Sequence, residues 1–263
     1  MGTPHVGNPH VLVETKDRVT LLRINRIEKK NALTDAIYRA LGDAIAQADA
    51  DDAVRALVLT GTGDSFSAGN DMVDFLNQKG TFETTGACYF MRKLYDFRKP
   101  ALAAVNGLAI GIGTTLLLHC DFAYAGESAT FKMPFVGIGI APEFSSSYLL
   151  PAMLGHRRAA ELLYTSDKFD ARKALECGLV NGVVPEAQVL EHTLAQARRL
   201  AEQPPAALRT CKRLLREGLH KPAMEALDRE VVELNRMIRG NQEATEAMTA
   251  FMQKRKPDFS KFK

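Results

Sequence analysis

Along the first half of this chain, short apolar runs stop abruptly at glycine. Residues 56–60 (Ala-Leu-Val-Leu-Thr) run into Gly61-Thr62-Gly63-Asp64, and residues 101–105 run into Asn106-Gly107. Runs of about five such residues without polar alternation read as strands buried on both faces, and the glycines read as the turns that end them. Strands of that kind need helices to cover them. The spacing supplies these: after Thr34, Ile37, Leu41, Ile45 and Ala48 recur every three or four residues, and residues 90–97 repeat the pattern up to Pro100. Residues 11–14 and 19–24 read as a hairpin around Lys16-Asp17-Arg18. Residues 114–120 read as a helix packed on all sides, and residues 122–125 and 129–132 as further strands. From Pro142 the pattern is helical: residues 145–154, 159–165, 171–177, 186–202, 205–217 and 223–252. The fold class is therefore α/β, with a core over residues 1–200 and a helical region over residues 201–263 whose amphipathic helices cover either the core or another subunit.

Composition removes several function classes. With 34 Lys+Arg against 31 Asp+Glu among 263 residues the net charge is +3, too small to point to a nucleic-acid or membrane partner. Hydrophobic residues make up 46%, which excludes a disordered chain. Cys88, Cys120, Cys177 and Cys211 have no metal-binding spacing and read as reduced, buried thiols. The stretch 101–118 is broken by Asn106, Gly107, Gly111 and Gly113 and is too short for a membrane span. The first residues carry no signal-peptide pattern. A cytoplasmic protein without metal is expected.

Three segments carry chemistry. Phe66-Ser67-Ala68-Gly69-Asn70-Asp71 and Gly107-Leu108-Ala109-Ile110-Gly111-Ile112-Gly113 are glycine turns that each lead into a helix. Each reads either as a plain tight turn or as a source of backbone N–H groups for an anion; two such turns together are one way to build an oxyanion hole. In Pro142-Glu143-Phe144-Ser145-Ser146-Ser147-Tyr148, Glu143 reads either as a first-turn acid favoured by the helix dipole or as a general base in apolar surroundings.

Taken in order with Arg26-Ile27-Glu28-Lys29-Lys30-Asn31-Ala32-Leu33, Cys120-Asp121-Phe122-Ala123 and the tail Lys254-Arg255-Lys256-Pro257-Asp258-Phe259, these segments resemble the enoyl-CoA hydratase/isomerase (crotonase) superfamily over nearly the whole chain. The resemblance implies a spiral of ββα units with a C-terminal helical trimerisation region, a homotrimer or a hexamer of two trimers, and coenzyme A thioester substrates with no separate cofactor. By position it implies an oxyanion hole from the N–H groups of Ala68 and Ile112. It also implies a CoA and acyl site along Ala68, Gly69, Asn70, Asp71, Met72 and Ile112, with Lys29 near the CoA phosphates. Met72, Phe75, Phe135 and Phe144 are the residues expected around the acyl chain.

The departures from the family pattern choose among its chemistries. Hydratases of the family hold water with two glutamates; the matching positions here are Thr115 and Phe135. Ser67-Ala68-Gly69-Asn70-Asp71 and the Pro142–Tyr148 segment instead resemble the peroxisomal-type Δ3,Δ2-enoyl-CoA isomerases, although Ala141 stands where that pattern leads with Ser. The resemblance makes Glu143 the lone catalytic base, shuttling a proton from C2 to C4 of a 3-enoyl-CoA in fatty acid metabolism (β-oxidation). The alternatives are a hydratase or other crotonase-fold acyl-CoA enzyme, with Asp71 and Asp74 as candidate acids, and a non-catalytic acyl-CoA binder. RNA binding finds support only in Lys254-Arg255-Lys256 and in Arg209, Lys212, Arg213 and Arg216, which solvated helix faces explain better.

Overall fold

The computed structural model describes residues 3–5, 7–78, 80–238, 241–253 and 255–262. Its strands are β1 (Thr3–His5), β2 (Asn8–Lys16), β3 (Val19–Ile24), β4 (Ala56–Gly61), β5 (Ser65–Ser67), β6 (Ala101–Val105), β7 (Leu108–Ile110), β8 (Phe122–Gly126), β9 (Thr130–Lys132), β10 (Phe169–Asp170) and β11 (Gly182–Val184). Its α-helices are α1 (Asp35–Ala50), α2 (Met72–Asn77), α3 (Gly86–Asp96), α4 (Ile112–Thr115), α5 (Ser146–Leu154), α6 (His156–Thr165), α7 (Ala171–Glu176), α8 (Val189–Ala201), α9 (Pro205–Ile238) and α10 (Gln242–Met252).

The strands form two sheets. One runs β1-β2-β3-β4-β6-β8-β11 and the other β10-β9-β7-β5. From β4 to β9 successive strands alternate between them: β4, β6 and β8 lie parallel in the larger sheet, while β5, β7 and β9 lie parallel in the smaller. Each strand pair is followed by helix, which is the expected spiral of ββα units. The hairpin of β2 and β3 turns at Asp17 and Arg18, both left-handed (φ 51° and 63°), the backbone that a two-residue hairpin requires.

The period of two explains how the larger sheet is covered. Val19, Leu21, Ala56, Val58, Leu102 and Ala104 point to one face, where Val189, Ala197 and Ala201 of α8 pack on them. Leu22, Ile24, Leu57, Leu59, Ala101, Ala103 and Val105 point to the other face and join the main core with α1, α3 and α9. The runs that looked continuously apolar are thus buried on both faces, as expected.

Two expected boundaries differ. The helix read over 114–120 is α4 followed by a 3-10 turn, Leu116–His119. The helices read as 205–217 and 223–252 are divided elsewhere: α9 runs unbroken through Pro222 to Ile238, and α10 begins at Gln242. An interior proline costs a helix about 3 kcal/mol, and tertiary contacts on either side offset it. The Tyr95 hydroxyl donates to His220 O at 2.7 Å, and Ala223, Ala226, Leu227, Val231 and Leu234 are buried. Cys88 and Cys177 are buried as expected, whereas Cys211 is exposed on α9. Lys254 of the tail pattern lies outside the described residues; Arg255 and the Asp258 N–H are held by Glu246 of α10. Among the described residues no helix is long and apolar enough to cross a membrane, and no three His, Cys, Asp or Glu gather as metal ligands.

Candidate active site

Because β5 and β7 are parallel neighbours, their C-terminal ends deliver two turns side by side. The approach is tight enough to dictate glycine. A Cβ on Gly69 (φ +84°) would lie 2.8 Å from Ile110 O, and one on Gly113 would lie 2.8 Å from Ser67 O. Two asparagines brace the turn that leads into β5. Asn106 accepts from the Gly61 N–H and donates to Gly61 O and Gly63 O, while Asn31 donates to Thr62 O and Ser65 O. Asn31 thus accounts for part of the Lys29–Leu33 motif as a structural brace.

Between the turns opens a cleft of about 260 Å³. Its lining includes Gly69, Asn70, Met72, Phe75, Ile112, Phe135 and Glu143, so most of the residues expected from the sequence converge there. Among the described residues Lys132, which the sequence did not single out, is the one cation along it, and Glu143 is the one carboxylate.

The backbone donors require a correction. The Ala68 N–H is committed to Lys30 O at 2.9 Å and is unavailable to a ligand. On either side of Asn70, Gly69 O accepts from the Leu33 N–H and the Asp71 N–H donates to Leu33 O. That parallel bridge turns the Asn70 N–H outward, and it has no partner among the described residues. The same holds for the Ile112 N–H at the start of α4, where Gly111 O already accepts from Thr114 and Thr115. The donor pair facing the cleft is therefore Asn70 and Ile112. The Asn70 side chain is fixed as well, since the buried Tyr38 hydroxyl donates to its Oδ1.

Other expected residues lie elsewhere. Phe144 is fully buried, stacked on His119 with ring centroids 3.7 Å apart, and does not line the cleft. Its backbone is left-handed (φ 57°), and its ring packs between Phe90 and His119. Asp71 caps α2, accepting from Val73 and Asp74, and pairs with Arg26 at 2.8 Å, so its carboxylate is a brace for the turn. Asp74 accepts from the Asp35 N–H. Lys29 is exposed and is not part of the lining.

Glu143 is 4% exposed. Burial pushes its carboxyl up to about 8; a hydrogen bond from the Thr115 hydroxyl (3.3 Å) works against that rise, and the charge of Glu230 adds to it. Thr115 thus orients the carboxylate. Phe144 and Ser145, the two residues that follow, are both left-handed, at a cost of order 1–3 kcal/mol each. Several contacts hold that step. His119 Nε2 donates to Phe144 O at 2.7 Å, and burial lowers this imidazole to about 3, which keeps it neutral. The Ser145 hydroxyl donates to Ala223 O at 2.8 Å. Glu230 of α9 accepts from the N–H groups of Ser145 and Ser147. The supporting roles of Thr115, His119 and Glu230 around Glu143 were not readable in the sequence. One had a signal: Glu230 falls on the apolar stripe of 223, 226, 227, 231 and 234, where an acid is out of place.

The enoyl-CoA hydratase/isomerase family pattern matches residues 14–262. The chain is 37% identical over 253 residues to enoyl-CoA delta isomerase 2 of Rattus norvegicus, covering 94% of this chain and 64% of that protein. It is 35% identical to the crotonyl-CoA hydratase of Syntrophomonas wolfei, covering 95% of this chain and 97% of that one. Among solved structures, OdaA of Pseudomonas aeruginosa is 43% identical over 92% of this chain and 98% of its own, with a TM-score of 0.90. An enoyl-CoA hydratase/isomerase of Pseudoalteromonas atlantica is 38% identical over 95% and 99%, also at 0.90.

Proposed function

Because the chain belongs to the enoyl-CoA hydratase/isomerase family, we propose that it isomerises 3-enoyl-CoA thioesters to 2-enoyl-CoA with Glu143 as the single proton carrier. One observation carries the reading: among the described residues Glu143 is the one carboxylate along the cleft, and the two positions where hydratases of the family keep their acids hold Thr115 and Phe135.

The thioester oxygen sits between the N–H groups of Asn70 and Ile112. These donors stabilise the negative charge that develops as C2 loses its proton. Glu143 takes that proton and returns it to C4, which moves the double bond into conjugation. A group raised by burial suits both halves of the transfer, because its proton affinity lies close to working pH. Phe75, Phe135 and Ile140 present apolar walls to the acyl chain and leave no second carboxylate to position water. CoA is part of the substrate. The working particle is proposed to be a homotrimer or a pair of trimers.

The test follows the ultraviolet absorbance of the conjugated thioester when 3-hexenoyl-CoA is added. Glu143→Gln is expected to lower kcat about a hundredfold or more. The acid limb of kcat/KM, which reports ionisation of the free base, is expected near pH 8. Wild-type activity in the variant overturns the assignment. The similarity to the Syntrophomonas hydratase supports a second reading, water addition, and rapid hydration of 2-enoyl-CoA by the wild-type protein would establish it.

A further inference from the structure

Glu230 has an unusual place for an acid. It lies near the C-terminal end of the longest helix, 5% exposed, among the residues that α9 buries against the core. Burying a carboxylate is costly unless donors satisfy it. Here both oxygens are satisfied by backbone: Oε2 accepts from the Ser145 N–H at 2.6 Å and Oε1 from the Ser147 N–H at 2.8 Å. These N–H groups belong to the first turn of α5, which gets no cap from its own sequence because the Ser145 hydroxyl is given to Ala223 O. A residue 85 positions away therefore caps the helix that begins just after Glu143.

We propose that Glu230 is a positioning residue for Glu143: by gripping the N–H groups of Ser145 and Ser147 it holds the left-handed Phe144–Ser145 step that directs Glu143 into the cleft. The grip is rigid because α9 is anchored on both sides of it by Leu227, Val231 and Leu234. Its charge has a second effect. A negative charge near Glu143 disfavours ionisation of that carboxyl and makes it a better proton acceptor. The other titratable groups around the pair are Tyr38 of α1 beside Glu143, Arg229 of α9 beside Glu230, neutral His119 behind Phe144, and Lys132 along the cleft. Burial raises Glu230 itself to about 7, so its carboxylate is charged in the range near 8 where Glu143 titrates, and there it acts on Glu143 as a negative charge.

This inference rests on the reading of Glu143 as the base, so its test has a part that does not need turnover. In Glu230→Gln one acceptor oxygen remains and an amide N–H₂ meets the second backbone donor. We expect kcat to fall about tenfold to a hundredfold with KM nearly unchanged, and the acid limb of kcat/KM to move down by about half a pH unit. Glu230→Asp keeps the charge but shortens the reach; kcat should fall while the limb stays in place. In the free protein, a ¹³C titration of the glutamate carboxyls should show the Glu143 midpoint moving down in the Gln variant and holding in the Asp variant. Thermal unfolding is recorded alongside so that kinetics are taken only on folded protein. Folded variants with wild-type kcat and an unmoved Glu143 midpoint overturn the proposal, even where unfolding temperatures fall. If Glu143→Gln itself leaves isomerisation intact, the functional reading fails, and the carboxyl titration still decides whether Glu230 governs Glu143.

Discussion

Gly69 shows how a single hydrogen atom in place of a side chain organises the site. Its left-handed backbone carries the chain from Ala68, whose N–H is spent on Lys30 O, to Asn70, whose N–H faces the cleft. Gly69→Ala adds a Cβ 2.8 Å from the Ile110 carbonyl, in a backbone region that L-residues avoid. Because the obstacle is backbone, the two turns must separate. The variant is expected to lose about 1–3 kcal/mol of stability and most of its kcat, because Asn70 and Ile112 no longer converge on one oxygen; urea unfolding and the 3-hexenoyl-CoA assay check the two effects. This glycine also marks where sequence reading stops. The Ser67–Asp71 motif was legible as a donor turn, yet the choice between Ala68 and Asn70 depends on which N–H the Lys29–Leu33 segment captures, a pairing between residues more than thirty positions apart. Phe144 was misplaced for a related reason: a positive φ at a bulky residue has no local signature.

At the scale of elements, local pattern carried far and tertiary ties decided the rest. The strands β4 and β6 and the helix α1 behind its Thr34 cap follow directly from apolar spacing, whereas α3, read from residue 90, begins four residues earlier at Gly86 behind a Thr85 cap. The course of α9 through Pro222 does not, because what sustains it lies in other elements. Lys212, expected from the sequence on a solvated helix face, is instead the clearest such tie. Its ammonium is buried, donates to Lys99 O at 2.6 Å and pairs with Asp121 at 2.7 Å, and Asp121 also accepts from the Ala101 N–H. Burial lowers the lysine, and Asp121 works to restore it. The first turns of α9 are thereby fastened to the start of β6. Lys212→Met removes the cation while keeping the apolar stem, leaving the Asp121 carboxylate without its counter-charge. The expected cost is about 3 kcal/mol in urea unfolding. A double change that also replaces Asp121 with Asn should recover part of it, because the uncompensated charge goes too.

At the scale of the whole molecule, the two faces of α9 have different tasks. The face carrying Ala223, Leu227, Glu230 and Leu234 is spent inside the chain, where it completes the core and grips the segment after Glu143. On the N-terminal half of the same helix Leu214, Leu215 and Leu219 are exposed, Leu215 at 75%. Scattered exposed leucines are ordinary, but three within six residues on one helix form a patch that association would remove from water. Subunit contact is the role expected of residues 201–263, and such a patch fits the proposed homotrimer. The prediction is specific to that patch. Light scattering on the wild-type protein should give the mass of three chains or a multiple of it. Leu215→Glu should shift the mass toward one chain while far-ultraviolet circular dichroism stays unchanged, because the side chain contributes little to its own core. A wild-type protein that runs as a monomer, or a variant that keeps its assembled mass, would remove this patch from the interface.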